Sequence, residues 1–578
     1  MSNRGGAGVR MLSSPLLEAL SRLRIPHSPR ELTPAEKAAL SAQGNRFDRA
    51  HVLAGPGFDA AEIWHNRFVG RVVLSGTVTQ STLEDAAVGQ DASVSHCPLV
   101  RRTVIGDRAV VRGSTLDCTA ETSFGVGTAI KAGLETPGKE VVVWDAMTLD
   151  DALRYLKEPV FRAQVAALVN GIRFDRTVVG GGARVTNSTA DRAFLGDGCV
   201  VEGAAWIEAS AVLSSADEPA RVGPGVQLRH SIVQWGAEVD SAAQVSRSLL
   251  LEYSGAEQRA MVGDSLIGPN TRVGLGEVTA SLVGPFVGFH HQSLLIAAWW
   301  PEGRGNVGSG ASVGSNHTSR SPDQELHAGE GTFFGLASAV KYPANFDDAP
   351  YSIIGAGVIV PPQRLAMPFS LVTTGDEGNL VLPGWVYREN AYLLLRSEAK
   401  FLQRNKARRH TFDLRIFRPE LVEKLWKARE LLEGIQGKPA YDGHDLAALG
   451  KNRLLEADRV AGIETYTAAL RYAVLRLHAD SRLRGIACET RWLDGQLERL
   501  GIADMTGRQR LVEWIDEERR LWKSALAAKR RDDARGAAVI PDYADFHVPA
   551  TEDAFLSERA TELGALERKI QDIYRTKA

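Results

Sequence analysis

Cysteine is scarce. The 578-residue chain has four, Cys97, Cys118, Cys199 and Cys488, and none forms a Cys-x-x-Cys pair. That excludes a disulfide framework and a zinc ribbon and fits a reducing compartment. Long apolar runs are also missing. No stretch approaches the roughly 18 uninterrupted apolar residues of a membrane helix, and MSNRGGAGVRML has no signal-peptide core. Charge of one sign is absent: the formal net charge of −2 gives no global attraction to nucleic acid or an acidic membrane. No Gly-rich phosphate loop opens a nucleotide-binding unit, and residues 1–67 are too short to be one. Gly180–Gly182 reads as a turn. The expectation is a cytoplasmic protein that binds neither membrane nor nucleic acid.

What is present is repetition. Leu195, Val201 and Ile207 stand six apart, as do Val233, Val239 and Val245; the pairs Ile267 and Val273, Val307 and Val313, and Ile354 and Val360 keep the interval. Val88, Val94, Ile105 and Val111 nearly keep it. Neither a helical nor a strand period produces this pattern. One short strand and one turn per hexad do, with the aliphatic side chain pointing into a triangular coil of three hexads. The spacing therefore predicts a mainly β chain with added helices, a parallel β-helix over 68–385. Residues 11–50 read as helical, within an N-terminal cap over 1–67. Thr33, Pro34 and Glu36 form a helix-start signature, and Thr148 with Asp151 opens a helical insertion over 148–174. From 386 to 578, apolar residues recur at three- and four-residue intervals, which predicts a helical C-terminal domain.

The stretch 284–334 breaks the repeat and gathers polar chemistry. His290, His291 and His317 lie within it, as does His327. On a strand, the adjacent His290 and His291 would point to opposite faces, so one at most faces a given cleft. His317, following Asn316 in a turn, is exposed on this reading. Each has the alternative role of a hydrogen-bonded structural histidine. Arg320 can clamp a phosphate or carboxylate, and Asp323 or Glu325 can fix an imidazole tautomer. Together with Glu330, these charges can instead tie down a loop. Trp299 and Trp300 are read as packing in preference to stacking on a sugar or base. The cluster Lys400, Arg404, Lys406, Arg408 and Arg409 is read as a solvated face offset by nearby acids, against the alternative of a phosphate contact.

The hexad pattern resembles the left-handed β-helix superfamily of trimeric acyltransferases. That resemblance implies a homo-oligomer, acyl-CoA as co-substrate with no tightly bound cofactor, and a sugar or nucleotide-sugar acceptor. It also implies a histidine as general base, for which His317, His290 and His291 are the candidates. Asn316, Arg320, Asp323, Glu325, Glu330 and Ser293 are the expected substrate contacts. The superfamily also has carbonic-anhydrase-like members. On that alternative His290 or His291, His317 and His327 would hold a zinc-like ion, although no metal is assigned. A third alternative is a non-enzymatic ligand-binding scaffold. More narrowly, GPFVGFHHQSLLIAAWW, NVGSGASVGSNHTSRSPDQE, PFSLV and LTPAEKAALSAQGN resemble a family of uncharacterised bacterial β-helix proteins with a helical tail. That family implies no reaction.

Overall fold

The computed structural model describes residues 12–22, 29–315, 325–486 and 488–575. The chain forms two compact units. One comprises Met1–Leu326 with Lys406–Thr411, the other His327–Asn405 with Phe412–Ala578.

The first unit is a parallel β-solenoid with three walls. Wall one contains Gln227–Arg229, Gln244–Ser246, Met261–Gly263 and Glu277–Thr279. Wall two contains Ile232–Val233, Leu249–Leu250, Leu266–Ile267 and Leu282–Val283. Wall three contains Glu238–Val239, Gly255–Glu257, Arg272–Gly274 and Gly288–Phe289. Aliphatic side chains stack in register, Leu228 on Val245, Val262, Val278 and Leu295. These partners lie 17, 17, 16 and 17 residues apart, one short or more of three full hexads.

The missing residue is at the corner between walls one and two. Six residues separate Val233 from Val239 and Val239 from Val245, but only five separate Val245 from Leu250. The tight corner is made by a non-glycine residue in the left-handed region: His230, Arg247 and Asp264 at φ 47° and Ala280 at 50°. Each is followed by a buried serine, Ser231, Ser248, Ser265 or Ser281. Each serine hydroxyl donates to the carbonyl two residues back and accepts the N–H of the serine, or finally Ala298, one coil on, at 3.1 Å. The ladder satisfies buried N–H groups that the sharp turn removes from the strand pattern.

Wall two is covered. Between wall one and wall two the chain leaves the solenoid after Thr115–Asp117 and returns at Thr177–Val179. This excursion carries an antiparallel hairpin, Ala129–Lys131 with Glu140–Val142, and helices α3 (Leu149–Lys157) and α4 (Pro159–Asn170). Phe124, Ile130, Trp144, Met147, Phe161 and Val165 pack on Leu213, Ile232, Leu249, Leu266 and Leu282 of the solenoid. Leu16 from α1 (Pro15–Arg22) joins them, and Asp145 accepts from Ser14 Oγ and the Leu16 N–H, each at 2.8 Å. Burial pushes the Asp145 carboxyl up to about 6. The expected helix starts are present: Thr33 caps α2 (Pro34–Ala42) with Glu36 reaching back, and Thr148 caps α3 with Asp151. Residues 43–50 are not helical, because Arg46–Ala54 pairs parallel with Arg67–Leu74 and so already forms solenoid strand.

The second unit begins with further parallel coils. Phe333 pairs with Ile353, Val340 with Val360 and Ile354 with Val372, and a hairpin of Leu371–Gly375 and Gly378–Leu382 ends them. Helices follow: α5 (Trp385–Glu389), α6 (Ala391–Arg404), α7 (Pro419–Glu433), α8 (Glu456–Arg484), α9 (Thr490–Arg499), α10 (Gly507–Val539), α11 (Tyr543–Phe546) and α12 (Ala554–Arg575). The 29-residue α8 is the central one, with Tyr466, Leu470, Tyr472, Val474 and Leu475 fully buried. Among the described residues no helix is long and apolar enough to cross a membrane.

Candidate functional site

His317, Asn316, Arg320 and Asp323 lie outside the described residues. His290 and His291 belong to the first unit. They occupy a turn after the Gly288–Phe289 strand instead of continuing it, because Gln292 takes φ 57° and the Ser293 N–H folds back to the His290 carbonyl at 3.1 Å. Both are exposed, so the strand alternation expected for them does not apply. Ser293 is buried, its hydroxyl without a partner among the described residues.

Glu325 and Trp299 meet Lys139 in the first unit: the ammonium is 2.6 Å from Glu325 and 4.5 Å from the Trp299 ring centre. Trp300 is fully buried, as a packing residue would be. Glu330, in the second unit, accepts from Tyr351 Oη at 2.7 Å and pairs with Arg418, itself mostly buried. Its contacts are those of a loop anchor.

The basic cluster contains a feature the sequence reading missed. Arg408, Arg409 and His410 fold into the first unit and surround Glu252, which is fully buried. Glu252 accepts from the N–H groups of Arg408, Arg409 and His410 and from His410 Nδ1 at 2.7 Å. The Arg409 guanidinium bridges Glu252 and Glu218 and lies 3.9 Å over the Trp235 ring. Arg408 and Arg409 are thus held by solenoid carboxylates and lie outside any helix, the Arg408 side chain largely exposed. His410 Nε2 accepts the Leu149 N–H at 3.1 Å, so both ring nitrogens are committed and the imidazole is structural. The thiols of Cys97, Cys118 and Cys199 are buried and pushed up, Cys199 to about 12, which removes them as nucleophiles.

Two other histidines pair with carboxylates among the described residues. His51 and Glu31 are a surface pair, with side chains 57% and 65% exposed. His327 and Asp347, in the second unit, fall between the surface and buried cases at 27% and 42%. His327 Nδ1 is 3.0 Å from Asp347 Oδ2. Its strand position is fixed by the Phe346 N–H donating to its carbonyl at 2.8 Å. Asp347 is held by an Asx turn, its N–H donating to Asn345 Oδ1 at 3.0 Å, and by Lys424 of α7 donating to its carbonyl. Beside it, Asp348 takes Arg364 Nη2 at 2.5 Å and Lys427 Nζ at 3.6 Å. Burial pushes the Asp348 carboxyl up, but Arg364, Lys427 and Lys424 outweigh it and hold the group below its ordinary value.

In the tautomer that donates Nδ1–H to Asp347, the basic nitrogen of His327 is Nε2, and the carboxylate would stabilise the imidazolium formed when Nε2 takes a proton. This is the arrangement of an oriented general base. Among the described residues no three or more His, Cys, Asp or Glu side chains are grouped to hold a metal. The pairing of 327 with 347 was missed in the sequence because Asp347 stands outside the 284–334 stretch. Coil stacking was the available signal, since residues about one coil apart come into contact in a solenoid.

Residues 29–436 match the family described as "Domain of unknown function (DUF4954)". An "Uncharacterized protein" of Treponema pallidum (strain Nichols) is 26% identical over 449 residues, covering 71% of this chain. The alignment takes in 62% of that relative, so this chain spans less than two thirds of its length. A solved structure, "putative acetyltransferase from Desulfovibrio desulfuricans G20", is 10% identical, with 60% of this chain and 70% of that one covered and a TM-score of 0.12.

Proposed function

The chain belongs to the DUF4954 family, and from that premise we propose that it is an acyltransferase-like enzyme whose general base is His327, oriented by Asp347. The observation that carries this reading is the half-exposed Asp–His couple on a solenoid coil. The acyl group comes from acyl-CoA, and the acceptor is a hydroxyl or amine of a sugar or nucleotide-sugar. His327 Nε2 removes the acceptor proton as the oxygen or nitrogen attacks the thioester carbonyl. The C–S bond then breaks, and the CoA thiolate takes the proton from the imidazolium. Lys424 and Lys427 add positive charge beside the couple, which suits an anionic donor or acceptor. The solenoid is left-handed on this reading, the working form is a homo-oligomer, a trimer in the first instance, and the compartment is the cytoplasm.

The test is thiol release from acetyl-CoA across a panel of nucleotide-sugars. The parent turns over, His327→Gln loses about 100-fold or more, and Asp347→Asn loses about tenfold with a shifted pH profile. His290→Ala and His291→Ala stay near the parent. No turnover by the folded parent, or full turnover by His327→Gln, overturns the assignment.

A further inference from the structure

Two residues of the basic cluster, Lys400 and Arg404, belong to the second unit and lie on α6. With Arg396 they stand four residues apart, so the three cations form one row along the helix at intervals of about 6 Å. The row runs opposite the buried Ala391, Leu394, Leu395 and Phe401. Arg396 and Arg404 are exposed, and Lys400 is half-buried between them. Like charges four apart on a helix repel, so the row weakens α6 unless something offsets it.

Among the described residues no aspartate or glutamate comes within ion-pairing distance of Arg396, Lys400 or Arg404. The carboxylates nearest in sequence are engaged elsewhere. Glu398, on the packed side of α6, pairs with Arg476 and accepts the Ile416 N–H at 3.0 Å. Glu389 lies 3.1 Å from Arg388 and 3.7 Å from Arg531. Asp553, the carboxylate that meets Tyr392 of α6, accepts the Leu556 N–H at 2.9 Å. Burial pushes the Lys400 ammonium down, and Arg396 and Arg404 push it further. The row is therefore cationic, open to solvent and not offset by these acids, unlike the face expected from the sequence.

We propose that this row docks an acidic helix of a partner protein whose glutamates recur at every fourth position. Such a helix repeats its carboxylates at the same interval of about 6 Å, so the three ion pairs form together. Leu393 and Ser397, half-buried on the same side of α6, offer an apolar and a hydroxyl contact beside the charges. A single nucleic-acid strand fits less well, because the row and its flanks Leu393, Ser397 and Gln403 include no aromatic ring on which a base could stack. The surface is separate from the His327–Asp347 couple and stands whether or not that couple is catalytic.

Fluorescence anisotropy tests the proposal, with the full-length chain at low salt and a dye-labelled, hydrocarbon-stapled alanine-based helix carrying glutamates four apart. Saturable binding is expected. The same peptide with its glutamates two apart, which puts them on different faces, should bind at least about fivefold weaker. Raising the salt to about 0.3 M should weaken the matched peptide about fivefold or more. Arg396→Glu combined with Arg404→Glu should weaken it about tenfold or more, and Lys400→Gln about threefold. All three positions face away from the buried side of α6, and unchanged circular dichroism and Tm verify that the variants fold. Absence of saturable binding by the folded parent overturns the proposal. So does equal affinity for the two peptides, unchanged affinity in the double variant, or tighter binding of an oligothymidylate of equal charge.

Discussion

At the scale of single residues, the serine ladder shows how a corner of non-glycine left-handed residues is held. Ser248 gives its hydrogen to the Ser246 carbonyl and takes the Ser265 N–H, both out of water. Ser248→Ala leaves that N–H without an acceptor and is expected to cost about 1–3 kcal/mol in urea unfolding. A serine-to-alanine change on an exposed turn should cost almost nothing. The ladder was written in the sequence as serines 17, 17 and 16 residues apart, at 231, 248, 265 and 281. A search for aliphatic hexads passes over it, because the signal lies in a polar residue at the period of a whole coil. His478 makes a second residue-scale case. It is 6% exposed, and burial, with Arg510 and Arg482 nearby, pushes it down to about 4. Between pH 6.5 and 4 the unfolded chain therefore binds the extra proton. The stability that neutral His478 allows is present above pH 6.5 and is lost as pH falls through that window, by about 3 kcal/mol. His478→Leu should flatten this part of the pH dependence of Tm.

At the scale of elements, the excursion from wall one to wall two explains why that wall is apolar on its outer side as well as its inner one. Trp144 is 1% exposed and stacks edge-on against Phe161, with ring centres 6.1 Å apart, above the solenoid leucines. Trp144→Ala is expected to cost about 3–5 kcal/mol and to speed hydrogen exchange in the hairpin and α3–α4 more than in wall three. The two helices of this cover were readable from the Thr148 cap and helical spacing. The hairpin was not, because its strands have three residues each and the connection holds Gly133, Pro137 and Gly138. Its form comes from contacts with solenoid corners, the Lys131 and Gly133 N–H groups donating to the Asp264 and Ala280 carbonyls. The candidate site divides the same way. The histidines drew attention to 284–334, but Asp347, which gives His327 its orientation, is supplied by stacking across coils.

At the scale of the whole molecule, the repeat and the change to helical periodicity were legible, and the division into units was not. Lys406–Thr411 belongs to the first unit although the chain on both sides of it belongs to the second. No local pattern announces this, since it depends on a buried carboxylate at 252 meeting arginines more than 150 residues later. Burial alone would push Glu252 up. The His410 ring and the Arg408 and Arg409 N–H groups outweigh it and hold the group at about 2. The folded value lies below the unfolded one, so this stability is present above pH 4.5 and is lost as pH falls toward 2, by about 3 kcal/mol. Arg409→Gln should destabilise the first unit by about 3–5 kcal/mol in urea, because Glu252 and Glu218 lose their shared cation. A fragment of residues 1–326 should gain Tm when a synthetic peptide of residues 405–412 is added, and an Arg409→Gln peptide should not raise it. The order of synthesis gives this a further meaning. A ribosome that has released all of residues 1–326 has still not released what the buried Glu252 needs. The solenoid must wait, during translation, for about 80 more residues before its electrostatics close, and the stretch it waits for arrives in the middle of the next unit's folding.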